Sequence, residues 1–557
     1  MVFLFFLHAG ASSLYKIENN DICWHLKTGE LIVQNRSVPR VDPYSLIDPG
    51  KKWVDHEWLF QVFAHGIYAG CGASGLVLLR SLLVLLIFFV IYRYTRKIGL
   101  DEAKTIFILC FSLVAARSRF MVRPEIVSLF LFVLLLHCLL LPPRRTVLRY
   151  LFPAFLIIVW CNVHGACLYG VLASFAIAGG ELLNLFFWKT ADPVQRSLSF
   201  APPSNREIVI RIASVLARPF LILSASFLNP YTYEMYIAAF RLRRIVGLPH
   251  VPNPEWGFPY PGDFPWFYAL LVLTAFVLLL GRKEIDFRAL SLYVLFAGLS
   301  LMYLRNVGFF SVCAPFILCS CLINARFPVL RYAGFFPIPA ALAIVCFYFA
   351  FSDAYQYGFG WRKECYPIRE VEFLDKNKIK GRIFTEVKFG DYLIFKKYPP
   401  ERVFIDGRNE IHEDLLKELF ASLSSTESWQ AFLEKYRLNI ALLRYPPQLQ
   451  GVLYVSGNEI VKGYRAFSAV YFPKARWALV YWDDSAMVFL KREPPVMEII
   501  ASQEYRMLNP DDSDYLLDKV KKNKLDGKEI LSEIARKLQE NPSCTKAKAL
   551  FELFAEK

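Results

Sequence analysis

Apolar runs at residues 1–14, 73–94, 103–118, 124–141, 148–162, 165–187, 209–228, 265–281, 287–304, 307–324 and 334–352 leave this chain few folds to choose from. Inside a bilayer every backbone N–H and C=O needs an internal partner, so each run reads as a helix. A straight crossing takes roughly 20 residues. Several runs are shorter, so their ends are soft and some helices are expected to be broken. The pattern specifies an α-helical polytopic membrane protein of about eleven spans. A composition of 55% hydrophobic and 16% aromatic residues agrees, being too apolar for a soluble chain of 557 residues.

The loops between the runs sort by charge. Tyr92–Lys97, Pro142–Arg145, Arg196–Arg211, Arg282-Lys283 and Arg326–Arg331 are basic and fall on every second crossing. Lys and Arg concentrate on the cytoplasmic side of membrane proteins, which puts these loops there. The opposite, extracytoplasmic face then receives 15–72, 117–125, 162–164, 229–263, 305–306 and everything after 352. The chain is thus expected to be a multi-pass protein of the cytoplasmic (inner) membrane. The net charge of +15 has this ordinary explanation, and nucleic-acid binding is not expected. Residues 1–14 are short and lack a basic leader. They read as a truncated first helix, a wrongly assigned start or a signal-like segment, and each leaves Asp21 outside. Most of the 12 cysteines lie within apolar runs as small hydrophobes, and no zinc-ligand spacing or disulfide framework is present.

Three regions follow: a transmembrane domain over 1–352 with a first outer loop at 15–72, an extracytoplasmic α/β domain over 353–496, and a helical tail over 497–557. In the second, Arg382–Phe395, Arg402–Arg408, Asn439–Arg444 and Trp477–Lys491 read as strands, the last a hairpin turning at Asp483-Asp484-Ser485. Helices are expected near 411–423 and 426–436. The tail reads as a helical hairpin from Lys522–Leu538 and Thr545–Glu556.

Ionisable residues beside a membrane are costly, so each needs a reason. Asp21 lies just past the first run, and His25 follows at i+4, on the same side of any helix there. A carboxylate beside an imidazole can act as a general base or hold a divalent cation such as Mg or Mn; it can also merely cap a helix. Trp53-Val54-Asp55-His56-Glu57-Trp58-Leu59 leads into an amphipathic stretch, Phe60–Tyr68. Either His56 and Glu57 face the same cavity as Asp21, or the stretch is an interfacial helix anchored by tryptophans. Arg117, Arg119 and Arg123-Pro124-Glu125 put cations on the outer face against the usual bias, and arginine forks suit a lipid phosphate; snorkelling is the alternative. Asn162-Val163-His164-Gly165, Asn229-Pro230, Glu255-Trp256 and Arg305-Asn306 recur at that face, suggesting a shared polar pocket. Arg80, inside a span, either lines a cavity or pairs with an acid. No P-loop, GxGxxG or Ser-hydrolase elbow is present.

The layout resembles the GT-C superfamily of integral-membrane glycosyltransferases, of the dolichyl- or polyprenyl-phosphate-sugar type, in a mostly uncharacterised bacterial branch. The resemblance rests on Asp21, on Trp24-His25-Leu26 with Gly29, on Val38–Ser45 and Trp53–Leu59, and on Arg123-Pro124-Glu125. It extends through Asn162–Gly165, Asn229-Pro230-Tyr231, Glu255-Trp256, Arg305-Asn306 and Val403–Arg408, and covers residues 15 to 495. It implies an inverting hexosyl or pentosyl transferase that moves a sugar from a polyprenyl-phosphate carrier to an extracytoplasmic glycan, lipid or protein. Asp21 would be the base, with His25 or Glu57 assisting. His56, Arg119, Arg123, Glu125, His164, Glu255, Arg305 and Asn306 would bind the substrates, and Asp21 is the candidate for any metal. The paired acidic motif usual after the first helix is missing, since Asn19-Asn20 precede a single Asp21. A catalytically inactive scaffold or lipid-binding protein is the alternative reading, and a transporter the third. The latter would carry its ionisable residues deep inside the spans rather than at their outer ends.

Overall fold

The computed structural model describes residues 1–190, 205–246, 253–281, 286–322, 355–445, 449–456 and 459–555. The expected span at 334–352 and the basic loops at Arg282-Lys283 and Arg326–Arg331 lie outside them. The chain divides into two compact units. The first comprises Met1–Asn19, Thr28–Val38 and Val54–Trp361; the second comprises Asn20–Lys27, Pro39–Trp53 and Arg362–Lys557.

The first unit is helical. Its helices are α1 (Val2–Ser12), most of α2 (Asp21–Asn35), α3 (Trp58–Lys97), α4 (Glu102–Ala116), α5 (Pro124–Leu140), α6 (Thr146–Val163), α7 (Cys167–Thr190), α8 (Asn205–Ala225), α9 (Glu234–Val246), α10 (Pro265–Leu280), α11 (Phe287–Met302) and α12 (Val307–Leu322). Among the described residues, five helical segments are long and apolar enough to cross a membrane: Trp58–Lys97, Thr146–Val163, Cys167–Phe187, Ile208–Ala225 and Leu304–Leu322. Four shorter ones, Val2–Ser12, Pro124–Leu140, Pro265–Leu280 and Phe287–Met302, are apolar too. A helix that is apolar all round belongs in the middle of a bundle. α12 is one, buried from Val307 to Cys319 and packed on α3, α4, α5, α10 and α11. Outward faces stay apolar, with Leu78, Leu82, Phe155, Phe220, Val272 and Phe276 exposed, as lipid contact requires.

Two glycines shape this unit. At Gly72, φ is +61° and ψ −161°, which breaks α3 between its amphipathic first part and its apolar second part. The apolar run read from the sequence begins one residue later. Gly29 lies where α2 meets α3, and a Cβ there would run into the Gln61 carbonyl and the His65 side chain. Arg80 is buried against the chain that follows α1. Its Nε donates to the Ser13 carbonyl at 3.0 Å, a second nitrogen donates to the Tyr15 carbonyl, and its plane covers the Tyr15 ring at 3.5 Å. It thereby satisfies carbonyls left over beyond the C-terminus of α1.

The second unit is α/β. A four-stranded sheet has the order β1-β2-β6-β5, with β1 (Ile383–Thr385), β2 (Ile440–Arg444), β5 (Trp477–Trp482) and β6 (Ala486–Lys491). β1 runs parallel to β2, and the other pairs are antiparallel. A separate hairpin joins β3 (Leu449–Ser456) to β4 (Glu459–Ala466), which the sequence reading did not anticipate. Helices include α13 (Ile368–Lys376), α14 (Val387–Lys397), α15 (Glu413–Ser422), α16 (Thr426–Lys435), α17 (Phe467–Tyr471), α18 (Met497–Gln503), α19 (Ser513–Lys521), α20 (Gly527–Glu540) and α21 (Thr545–Ala555). α20 and α21 pack on each other. The β5–β6 turn serves twice: Asp483 Oδ1 accepts from Ser485 N at 2.7 Å, and Asp484 caps α21, accepting from Lys546 N at 2.7 Å and Thr545 N at 3.1 Å.

Two expected strands are corrected. Of Arg382–Phe395, only Ile383–Thr385 is extended; the rest is α14, whose buried Phe389, Leu393 and Tyr392 follow helical spacing. Gly390 lets α14 close on the Ile405 carbonyl, where any Cβ would collide. Arg402–Arg408 is no strand either, and only Val403 bridges, to Ser45. Its shape follows from ion pairs. Arg408 reaches Asp406 at 2.8 Å (Nε to Oδ1) and 2.7 Å, and Asp42 at 2.8 Å, with its side chain fully buried. His412 Nε2 is 3.0 Å from Asp406, and the Tyr44 and Trp53 rings flank the guanidinium at 4.8 and 4.7 Å. Asp42 also accepts from Tyr44 N and Ser45 N, both at 3.0 Å. The Val38–Ser45 and Val403–Arg408 motifs therefore meet in one buried charge cluster. Although burial opposes ionisation, Arg408 and then His412 hold the Asp406 carboxyl well below the usual carboxylate range.

Asp511 supplies a pH test of this unit. Burial pushes its carboxyl up to about 6, against the pull of its Ser468 hydrogen bond and of Lys546. A raised carboxylate means that the folded state holds its proton more tightly than the unfolded one. Stability therefore falls as pH rises from the unfolded value through about 6. Asp511→Asn should melt higher than wild type at about pH 8, by about 2 kcal/mol, and show no gain at about pH 4. Unfolding followed at both pH values checks this.

Candidate active site

Three single turns of 3-10 helix lie in the first unit: Arg117–Arg119 ends α4, Leu304–Asn306 leads into α12, and Pro254–Trp256 stands between α9 and α10. They deliver a charge cluster. Arg119 is buried and forks onto Glu125, with Nε 2.9 Å from Oε1 and a terminal nitrogen 2.5 Å from Oε2. Its remaining nitrogen is 3.2 Å from Glu255 Oε1, the oxygen that Arg123 reaches at 2.6 Å. Pro124 and Glu125 open α5, where Pro fits the first turn and an acid is favoured by the helix dipole. Gly308 makes room: a Cβ there would crowd the Arg119 side chain at 3.0 Å. Glu255 sits well below the usual carboxylate range; burial opposes this, and Arg119, Arg123 and Arg305 outweigh it in that order.

Arg305 faces the same carboxylate but stacks on Trp256 at 4.5 Å, and Trp256 meets Tyr303 edge-on at 5.6 Å. Among the described residues Arg119, Arg123 and Arg305 gather around Glu125 and Glu255. Arg119 has its nitrogens committed, whereas Arg123 keeps 22% of its side chain exposed and Arg305 is half-buried. Asn306 is structural in its contacts, its amide donating to the Leu299 carbonyl at 3.0 Å while its own carbonyl accepts from Ser300.

A second group in this unit joins two sequence motifs nearly in register. Trp58 Nε1 donates to Asn162 Oδ1 at 2.9 Å; Glu57 Oε1 lies 3.5 Å from His164 Nε2; the His56 ring lies against Gly165, where a Cβ would sit 3.2 Å from it. Asn162 also donates to the Ile158 and Leu228 carbonyls at 2.8 and 2.9 Å. The His164 Nδ1 is 2.8 Å from Ser128 Oγ. Ser128 was not singled out from the sequence; a lone hydroxyl in the apolar run 124–141 was the available signal.

Asp21 and His25 belong to the second unit. Asp21 opens α2 and is half-buried; His25 is buried, its ring 3.7 Å from that of Trp24. Asn20 anchors the helix start, its amide donating to the Lys388 carbonyl at 2.9 Å and the Cys365 carbonyl at 3.3 Å. Asp391, fully buried on α14, accepts from Gly407 N at 2.7 Å through Oδ1, while its Oδ2 has no hydrogen-bond partner among the described residues. Burial, then the nearby charges of Asp21 and Asp406, push its carboxyl well above the usual range. Among the described residues no three His, Cys, Asp or Glu side chains converge as metal ligands.

Removing Glu125 should expose the role of this charge balance. Glu125→Gln leaves the buried Arg119 fork with a neutral partner and should cost about 3 kcal/mol of stability. Arg305→Ala, which removes a cation stacked on Trp256, should cost less than about 1 kcal/mol. Thermal unfolding of both variants in detergent measures the contrast.

No protein-family model and no curated protein matches the chain. Solved structures do. Archaeal oligosaccharyltransferase AglB from Archaeoglobus fulgidus, in complex with an inhibitory peptide and a dolichol-phosphate, superposes with a TM-score of 0.55 at 11% identity, over 97% of this chain and 85% of that one. The Archaeoglobus fulgidus oligosaccharyltransferase tethered to an acceptor peptide containing the NVT sequon gives 0.52 at 10% identity, over 90% and 80%. Its apo form gives 0.50 at 11%, over 90% and 81%. The chain shares the fold of these oligosaccharyltransferase structures.

Proposed function

We propose that the protein is a membrane glycosyltransferase that moves a sugar or glycan from a polyprenyl-phosphate-type carrier to an acceptor outside the cytoplasmic membrane. The fold, shared over nearly the whole chain with an enzyme whose structure holds a dolichol-phosphate and a peptide, supports the class. The observation that carries the donor is the arginine cluster, in which Arg123 and Arg305 are not fully buried. An anionic phosphate at the end of a lipid chain suits it.

In this reading Arg123 and Arg305 meet the carrier phosphate, while Arg119, held by Glu125 and Glu255, sets their positions. Asp21 takes the proton from the acceptor O–H or N–H. The freed electron pair forms the bond to the anomeric carbon as the bond from that carbon to the phosphate oxygen breaks. The carrier phosphate leaves with that electron pair, and single displacement inverts the sugar. Charge gathers on the departing phosphate, and the arginines stabilise it there. The raised Asp391 carboxyl resists becoming a second negative charge near Asp21. His25 and Glu57 assist. The acceptor and the kind of sugar belong to this proposal, not to the fold.

Asp21→Asn tests it. With radiolabelled polyprenyl-phosphate sugars in membranes at matched expression, the variant should lose at least about 100-fold in transfer, as expected for removal of a general base. Equal transfer by both proteins would take the base away from Asp21.

A further inference from the structure

The WCNVHG segment, Trp160–Gly165, has a partner that neither the fold nor the proposed reaction explains: the hydroxyl of Ser128 on α5. Its Oγ lies 2.9 Å from Trp160 Nε1, 2.8 Å from His164 Nδ1 and 3.2 Å from the Pro124 carbonyl. Ser128 is fully buried, Trp160 is too, and His164 is 7% exposed.

Donor and acceptor counting limits what these atoms can do. An indole N–H only donates, so it occupies one lone pair of the hydroxyl. Ser128 then has one O–H and one lone pair for its two other neighbours. When the O–H points at His164 Nδ1, the neutral imidazole carries its proton on Nε2, the nitrogen 3.5 Å from the Glu57 carboxylate. When it points at the Pro124 carbonyl, Nδ1 must itself carry a proton and donate to Ser128. The first arrangement gives Glu57 a hydrogen-bond donor. The second, with neutral imidazole, sets a bare Nε2 against that carboxylate, which is repulsive. For a neutral imidazole the hydroxyl held in place by Trp160 therefore selects the tautomer, and a doubly protonated ring, donating from both nitrogens, is the state the nitrogen-15 spectrum tells apart from it.

We propose that Ser128 is a positioning residue: held by Trp160, it fixes His164 as the Nε2–H tautomer and so orients Glu57. The catalytic part of this inference rests on the glycosyltransferase reading, in which Glu57 assists transfer; the tautomer part does not. It also accounts for why Trp160, His164 and Glu57 stand where they do. A hydrogen bond to the far nitrogen is the usual means by which a protein fixes which imidazole nitrogen works.

The tautomer is read directly by nitrogen-15 NMR of histidine-labelled full-length protein in lipid, with the His164 signals assigned by their loss in His164→Gln. The wild type should show a protonated Nε2 and a bare, hydrogen-bonded Nδ1. Ser128→Ala should shift the Nδ1 resonance and mix the tautomers, and Ser128→Thr, which keeps the hydroxyl, should restore the wild-type spectrum. In the transfer assay Ser128→Ala should lower kcat about 10-fold with KM unchanged, in keeping with loss of a supporting contact to a working residue, and Ser128→Thr should recover it. Circular dichroism melting confirms that the variants are folded. An unchanged His164 spectrum in folded Ser128→Ala overturns the proposal, as does a loss of kcat that Thr does not rescue. If the spectra behave as stated while wild type transfers no sugar from any donor, the tautomer assignment holds and the glycosyltransferase reading fails.

Discussion

A guanidinium withdrawn from water has to be neutralised where it lies, and Arg119 in the helical unit is withdrawn almost completely. Its fork onto Glu125 and its third contact with Glu255 satisfy that demand. Everything else in the cluster is arranged around this requirement. Pro124 starts α5 so that Glu125 falls in the first turn, Gly308 keeps the side chain's path open, and the Pro254–Trp256 turn brings in Glu255. Glu255 then has a second lone pair for Arg123 and a field that reaches Arg305. One buried arginine is thus fixed by two acids, with two less buried arginines beside it.

The α/β unit solves the same problem with Arg408. Two carboxylates, Asp42 and Asp406, and two aromatic faces, Tyr44 and Trp53, enclose it. Asp42, Tyr44 and Trp53 precede their partner by over three hundred residues, so this cluster ties an early segment of chain into a late one. Asp391 lies beside it, bonded to the backbone of Gly407. Burial, then the charges of Asp21 and Asp406, raise the Asp391 carboxyl, while the Gly407 N–H and Arg408 pull it the other way.

The sequence was most legible where lipid sets the rules. The apolar boundaries of α5 to α8 follow from length and composition, because hydrocarbon admits little but helices, whereas the break at Gly72 and the burial of α12 had to be seen in the structure. In the α/β unit β2 and the β5–β6 hairpin were legible from alternation and turn residues. α14 was not: a short apolar run with aromatics fits strand and helix alike, and the deciding contact, Gly390 on Ile405, is remote in sequence. Val403–Arg408 misled for a related reason, since its buried residues serve ion pairs rather than a ladder. In the helical unit the residue types of Arg119, Arg123, Glu125, Glu255 and Arg305 were visible, but their pairing was not. Nothing local says that Arg119 is spent on two acids while Arg305 rests on an indole. Ser128 and Asp391 went unnoticed because one polar atom in an apolar helix and one aspartate among many carry no pattern.

The most direct test of the central claim is the fate of the carrier. Purified protein in liposomes, given a polyprenyl-phosphate sugar labelled in both halves, should release the free carrier phosphate and pass the sugar to an acceptor in equal amounts, in an acceptor-dependent way. A protein that binds the labelled lipid but never separates sugar from phosphate, across donors and acceptors of each class, would contradict it.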